Sequence, residues 1–393
     1  MTQTQIDGIT LAPGGGLPLL ADARVSLDAD GIVVDIDGTE TTAFDADSPQ
    51  RVLVPAGVDT HLDNMTERRR PRATVVLPQE SVIATLDAEA ASVGIGTVCI
   101  AARCEDAPGK GVHVEEAAEL AATIERLAPQ LACDWRIHVR VEVTDDSAVA
   151  ALRDVLDVSS RAALISVMEH SIERSRFASA QEHREFYAAD WGVPLEEVDE
   201  ILAAKAAGGN ERESRRLEVA RIAAAAGLPL ATHDDRDPED INKAHALGAA
   251  VAEFPLTIDA ARRAQELGMT TVLGAPNAVR GRSTSPSNIL VADAVRAGAV
   301  DMLCCDYLPS ALMAAPFALA RDGVLPLASA VDLVSGNPAQ ALGLRRPDIR
   351  IGQPLTAALA TVSGTTFVGE GLWREGRAVF QRSAAPARVA TRV

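Results

Sequence analysis

From about residue 52 the chain alternates between short apolar runs and Ala-rich stretches of helical period, and this alternation constrains the fold more than any other feature. The apolar runs are RVLVPAGVDTH, GIGTVCIAA, WRIHVRVEV, AALISVMEH, LPLATHDD, AAVAEFPLT, TTVLGAPN and VDMLCCDY. Helical patterning is expected over 78–93, 112–127, 147–157, 195–226, 238–248, 257–267, 286–297 and 326–343. Apolar strands alternating with helices build a parallel sheet that is covered on both faces. Eight such units predict a (β/α)8 barrel. A doubly wound open sheet is the rival topology, but no G-x-G-x-x-G follows the first run.

The two chain ends have a different texture. ITLAPGG, ARVSLDADG and IVVDIDG at the start are short alternating runs separated by Gly-Gly and Asp-Gly pairs, which are hairpin signals. TAALATVSG, TFVGEG and LWREGRAVF repeat the pattern after about residue 347. The expected organisation is a small β-sandwich from 1–52 and 347–393, flanking a barrel over 53–346. The tail SAAPARVATRV is expected to be disordered.

Composition narrows the function. Hydrophobic residues make up 47% and aromatics only 3%, so the core must come from Ala, Val, Leu and Ile. The net charge of −18 argues against a broad nucleic-acid face, so an anion would have to be held by a local cluster or a metal. No run reaches the roughly 18–20 apolar residues of a membrane span, and MTQTQIDGIT does not read as a signal peptide. The five cysteines form no C-x-x-C pair. The expectation is a cytoplasmic, enzyme-sized protein with reduced thiols, acting on a small molecule without nucleic acid or membrane; a homo-oligomer stays open.

In a barrel, catalytic groups sit at the C-terminal ends of the strands. Run by run, those ends carry His61 and Asp63, Glu142, His170, His233 and Asp306. His61 and Asp63, two apart on a strand, point the same way. Nitrogen and oxygen donors without thiolate suit one or two divalent ions of Zn, Mn or Fe. Asp306 is expected both to ligate metal and to take a proton from water. Of Asp234 and Asp235, which follow His233, one is expected to face the site. His113, His138, His183 and His245 fall mid-strand or on helices and read as structural. Arg280 and Arg282 lie in a Gly/Ser-rich loop after the seventh strand, where barrels often bind phosphate. The run Arg68-Arg69-Arg70-Pro71-Arg72 follows the first strand, and guanidinium groups suit phosphate oxygens.

These residues carry a resemblance. VPAGVDTHLD with paired terminal β segments is similar to the amidohydrolase superfamily. Within it, His61-Leu62-Asp63-Asn64, Glu169-His170-Ser171, Arg176-Phe177, His233-Asp234-Asp235 and Ala252-Glu253-Phe254-Pro255 resemble the phosphonate-utilising diphosphatase branch. Gly274-Ala275-Pro276-Asn277-Ala278-Val279-Arg280-Gly281, Cys305-Asp306-Tyr307 and Asn337-Pro338-Ala339-Gln340 extend it. The resemblance implies hydrolysis of α-D-ribose 1-methylphosphonate 5-triphosphate to the 5-phosphate and diphosphate, in the carbon–phosphorus lyase pathway. It implies Asp306 and Asp234 as catalytic carboxylates and Arg72, Asn277, Arg280 and Arg282 at the substrate's phosphates. His-x-Asp stands where the superfamily usually has His-x-His, and Thr356-Ala357-Ala358-Leu359 replaces its usual late strand. A metal-dependent C–N hydrolase, either a deaminase or a cyclic amidase, is the alternative reading; it would not call for clustered arginines.

Overall fold

The computed structural model describes residues 4–382 except 46, 73, 108–110, 172–173, 178, 207–208 and 284–287, and omits the side chains of 190, 204–206 and 209–210. The C-terminal tail and the start of the expected helix 286–297 lie outside the described residues. Strands β1 (Thr4–Leu11), β2 (Leu19–Leu27), β3 (Val33–Thr41) and β4 (Gln50–Pro55) open the chain. Eight strands follow: β5 (Gly57–Leu62), β6 (Ile95–Cys104), β7 (Asp134–Glu142), β8 (Ala162–Met168), β9 (Leu230–His233), β10 (Val251–Glu253), β11 (Thr270–Gly274) and β12 (Met302–Cys304). The last three are β13 (Ala357–Ser363), β14 (Thr366–Arg374) and β15 (Arg377–Gln381).

Strands β5 to β12 pair in chain order into one eight-stranded parallel sheet, the expected barrel. It closes through a short bridge between Leu62 and Asp306. Helices cover it, including Gln79–Ser92, Glu116–Leu127 and Ala148–Val158, close to where the periodicity puts them. The expected helix 195–226 is described as Leu195–Ala206 and Gly209–Ala226. Besides the short Met65–Arg69 and Ala275–Arg280, two longer helices lie outside the expected set, Ala180–Trp191 and Pro309–Arg321. The last of these buries ten of its residues and contains Pro316, so it has neither a polar stripe nor an uninterrupted helical pattern to read.

The terminal strands form a seven-stranded mixed sheet in the order β15-β14-β13-β4-β1-β2-β3. It has its own apolar core, with Leu11, Val25, Leu27, Leu53, Leu355 and Trp373 among its members. β4 runs into β5 with only Ala56 between, tying this sheet to the barrel. Gly369 abuts Ser92 O at the end of a barrel helix, where any Cβ would clash with the carbonyl. All five cysteines are free and buried. No helix among the described residues is long and apolar enough to cross a membrane.

Candidate active site

The barrel rim opens into a cavity of about 300 Å³. Its floor is the seam where the sheet closes. The Asp306 N–H donates to His61 O at 2.8 Å and the Asp63 N–H donates to Asp306 O at 2.6 Å, so the backbone fixes three expected ligands relative to one another. Just past β9, β10 and β12, Asp234, Phe254 and Asp306 hold φ at 55°, 52° and 57°. Side chains with a Cβ keep such left-handed backbone only where the surroundings over-determine it. Three of the five non-glycine residues with left-handed backbone among the described residues thus sit at the rim; the other two, Asp22 and Glu375, lie in the terminal sheet.

The histidines converge. His61 and His233 stack with centroids 6.0 Å apart, and His170 meets His233 edge-on at 6.1 Å. His233 Nε2 lies 3.9 Å from Asp234 Oδ2. The ligand atoms of His170, His233 and Asp234 all fall within 4.8 Å of one another; so do those of Glu105, Glu142 and His170, and those of His61, His138 and Glu253. Burial lowers the His170 imidazole below its ordinary range, against the pull of Glu142. The ring is neutral near pH 7, the form that binds metal. Burial also pushes the Asp306 carboxyl up, against His61, Arg140 and His233. Imidazoles and carboxylates gathered without thiolate are a donor set that fits a divalent ion.

His61, Asp63, His170, His233, Asp234 and Asp306 all line the cavity, as do Asn277, Arg280 and Arg282. Glu142 stands behind His170, fully buried; its Oε2 is 2.6 Å from His170 Nδ1 and its Oε1 accepts from Thr144 Oγ1 at 2.7 Å. The Asp63 carboxylate is ion-paired with Arg140. Asp235 turns away from the cavity, accepting from Thr232 Oγ1 at 3.1 Å and Arg174 Nη2 at 2.9 Å. Burial raises its pKa to about 6. Asn277 and Arg280 lie on a short helix, Ala275–Arg280, rather than in the expected loop; the Asn277 amide donates to Ile289 O and accepts from Val291 N–H, tying that helix to the chain beyond Arg282.

The structure does not bring Arg72 to the cavity: it is exposed, and its backbone bridges to Val75. Its neighbours turn outward as well. Arg68 pairs with Glu89, Arg69 with Glu116, and Arg70 donates to Gly111 O. The run is dense in charge, but nearby acidic residues on the following helices satisfy it.

Four residues at the site have no role assigned from sequence, although Arg176 and Glu253 fall within the motifs that carry the resemblance. Arg103, Arg140 and Arg176 line the cavity, and Glu253 lies buried beneath it. β7 held the signal for Arg140: Arg136, His138, Arg140 and Glu142 alternate with apolar residues, marking one polar face of a strand. Glu253 is the charged last residue of β10, visible to the same strand-end rule that finds His61 and His233. Arg176 sits over the rings of Phe177 and Phe186 at 5.3 and 5.0 Å, with Nη1 3.7 Å from Asp234. Loop placement of this kind has no periodic signature.

The architecture has counterparts among solved structures. The chain resembles N-acetyl-D-glucosamine-6-phosphate deacetylase from Mycobacterium smegmatis, with a TM-score of 0.58 and 15% identity over 96% of this chain and 100% of that one. It resembles 5-methylcytosine deaminase from Klebsiella pneumoniae, with a TM-score of 0.60 and 14% identity over 98% and 100%. Dihydropyrimidinase from Brevibacillus agri gives a TM-score of 0.58 and 14% identity over 97% and 95%. At these identities the likeness is one of fold. No family model matches the chain.

Sequence goes further. The α-D-ribose 1-methylphosphonate 5-triphosphate diphosphatase of Escherichia coli K12 is 31% identical over 336 residues, covering 84% of this chain and 88% of that protein. The chain belongs to the amidohydrolase superfamily, alongside that diphosphatase, and is a metal-dependent hydrolase.

Proposed function

We propose that this chain hydrolyses α-D-ribose 1-methylphosphonate 5-triphosphate to the 5-phosphate and diphosphate, in phosphonate catabolism. One observation carries the reading beyond the relative's name. In a protein of net charge −18, one cavity gathers five arginines around the histidine–carboxylate cluster. A polyphosphate needs that arrangement, and a neutral amide does not.

His61, His170, His233, Asp234 and Asp306 are the residues proposed to hold the metal, with Asp63 at their edge and Glu142 orienting His170. The metal is proposed to be Zn, Mn or Fe, as one or two ions. When bound, it supplies a water nucleophile that ionises near neutral pH and polarises a phosphoryl oxygen. The rest of the chemistry falls to the chain. Asp306, with its raised affinity for protons, accepts the proton of the attacking water. Arg140 and Arg103 at the cavity wall neutralise charge on the phosphoryl group under attack, since such transfers rest on positioning and charge compensation. Arg176 lies over two adjoining aromatic rings, and its buried Nε has no hydrogen-bond partner among the described residues. It is proposed to bind the leaving diphosphate. Arg280 and Arg282, exposed at the mouth, steer the anionic substrate inward.

Product analysis tests this reading. Phosphorus NMR of the reaction should show diphosphate and the ribose 5-phosphate in equal amounts, marking cleavage between the α and β phosphorus atoms. Orthophosphate as the product, or an untouched triphosphate beside a hydrolysed cyclic amide, would overturn it.

A further inference from the structure

Beneath the cavity lies a polar network that the proposed reaction does not use directly. Glu253 is fully buried. Its Oε1 is 2.8 Å from His61 Nδ1, its Oε2 is 2.8 Å from His233 Nδ1, and Oε2 also accepts from Ser166 Oγ at 3.0 Å. Ser166 Oγ is in turn bonded to His138 Nε2. An ionised carboxylate only accepts hydrogen bonds, so both Nδ1 atoms that face it must carry protons. In a neutral imidazole the lone pair is then on Nε2. A hydroxyl has one proton. Because Ser166 gives its proton to Glu253, it must accept from His138, which puts His138 in the opposite tautomer. The His138 Nδ1 lies 3.8 Å from Glu253 Oε1, too far to donate to it.

We propose that Glu253 is the positioning residue of the metal centre: it locks His61 and His233 in the Nδ1–H tautomer, so that Nε2 of each serves as the ligand atom. The inference rests on the metal-dependent reading of the cavity. It also reassigns the group His61, His138 and Glu253, which has the spacing of a metal site. The facing atoms of Glu253 and His61 there share a proton, and His138 belongs to the chain of hydrogen bonds that supports Glu253. Fixing the tautomer and ring orientation of a ligating histidine through its second nitrogen strengthens metal binding. Here one carboxylate does this for two histidines on two different strands, β5 and β9.

The test is nitrogen NMR of the metal-free protein with ¹⁵N-labelled histidine, signals being assigned by their loss in H61Q, H138Q and H233Q. His61 and His233 should show protonated Nδ1, the less populated form of a free neutral imidazole, and His138 should show protonated Nε2. In Glu253→Gln the amide offers one acceptor and one donor, so one of the two rings should switch tautomer. Affinity for Co²⁺, read from its visible spectrum, should fall roughly 10- to 100-fold. His61 and His233 protonated on Nε2 in the wild type, or Co²⁺ held as tightly by Glu253→Gln as by wild type, overturns the proposal. A wild type that shows the expected tautomers but binds no Co²⁺ overturns the metal reading instead, and the NMR result tells the two failures apart.

Discussion

The barrel and the terminal sheet are drawn from the same apolar residue types, yet they bury different things. The terminal sheet's core is aliphatic apart from Trp373. Ser26 is the only buried polar side chain on its strands among the described residues. The barrel buries Asp59, His61, His138, Arg140, Glu142 and Glu253. Buried polar groups stabilise a fold poorly unless fully paired. Their concentration in the barrel marks where structure has been given over to chemistry. The terminal sheet, free of that demand, is packed for stability.

Substitutions should therefore separate activity from stability along this divide. Asp306→Asn keeps the backbone seam and the side-chain volume while removing a ligand and a proton acceptor. Diphosphate release should fall by roughly 10²- to 10⁴-fold, the usual worth of a positioned base, with thermal melting near that of the wild type. Wild-type turnover would remove Asp306 from the chemistry.

Leu53, fully buried in the terminal core, gives the converse. Leu53→Ala should cost about 2–5 kcal/mol of stability in chemical denaturation and leave kcat at 25 °C unchanged. A proportionate loss of kcat would show that the two regions are not functionally separate.

Arg176→Ala should raise KM for the triphosphate roughly 10- to 100-fold, the scale of one charge-assisted hydrogen bond. Arg280→Ala should do less, because its guanidinium is exposed and donates to Tyr307 Oη at 3.2 Å. The reverse ranking would move the main anion contact from the cavity wall to the mouth.

The smallest effect concerns pH. His183 is buried and bonded to Ser175, and burial lowers its pKa to about 4. The folded protein keeps the ring neutral while the unfolded chain takes a proton below about 6.5. This contribution to stability is thus complete above pH 6.5 and lost as pH falls toward 4. His183→Gln should flatten the fall of melting temperature between pH 7 and 5 in the metal-free protein. Parallel curves for the two proteins would contradict the assignment.

The barrel was legible because buried parallel strands are continuous apolar runs, and the strand-end rule then picked out His61, His170, His233 and Asp306 without knowledge of contacts. It stopped short at β10, where Glu253 sits in a strand of only three residues. Arg72 failed as a cavity residue for a different reason: charge density in sequence says nothing about which acids lie across space, and Glu89 and Glu116 take up its neighbours. Asn277 lines the cavity from a short helix, and its amide is spent on Ile289 and Val291. Helix Pro309–Arg321 was hidden by burial on all sides. Local pattern reveals elements and their ends; pairing between distant side chains has no local pattern.

The most direct measurement is turnover of the ribose 5-triphosphate by chelated protein, before and after adding Zn²⁺, Mn²⁺ or Fe²⁺. The account predicts no diphosphate from the chelated protein and its stoichiometric release once a fitting metal is restored. Diphosphate release at full rate without metal, or none with any of the three ions bound, would contradict it.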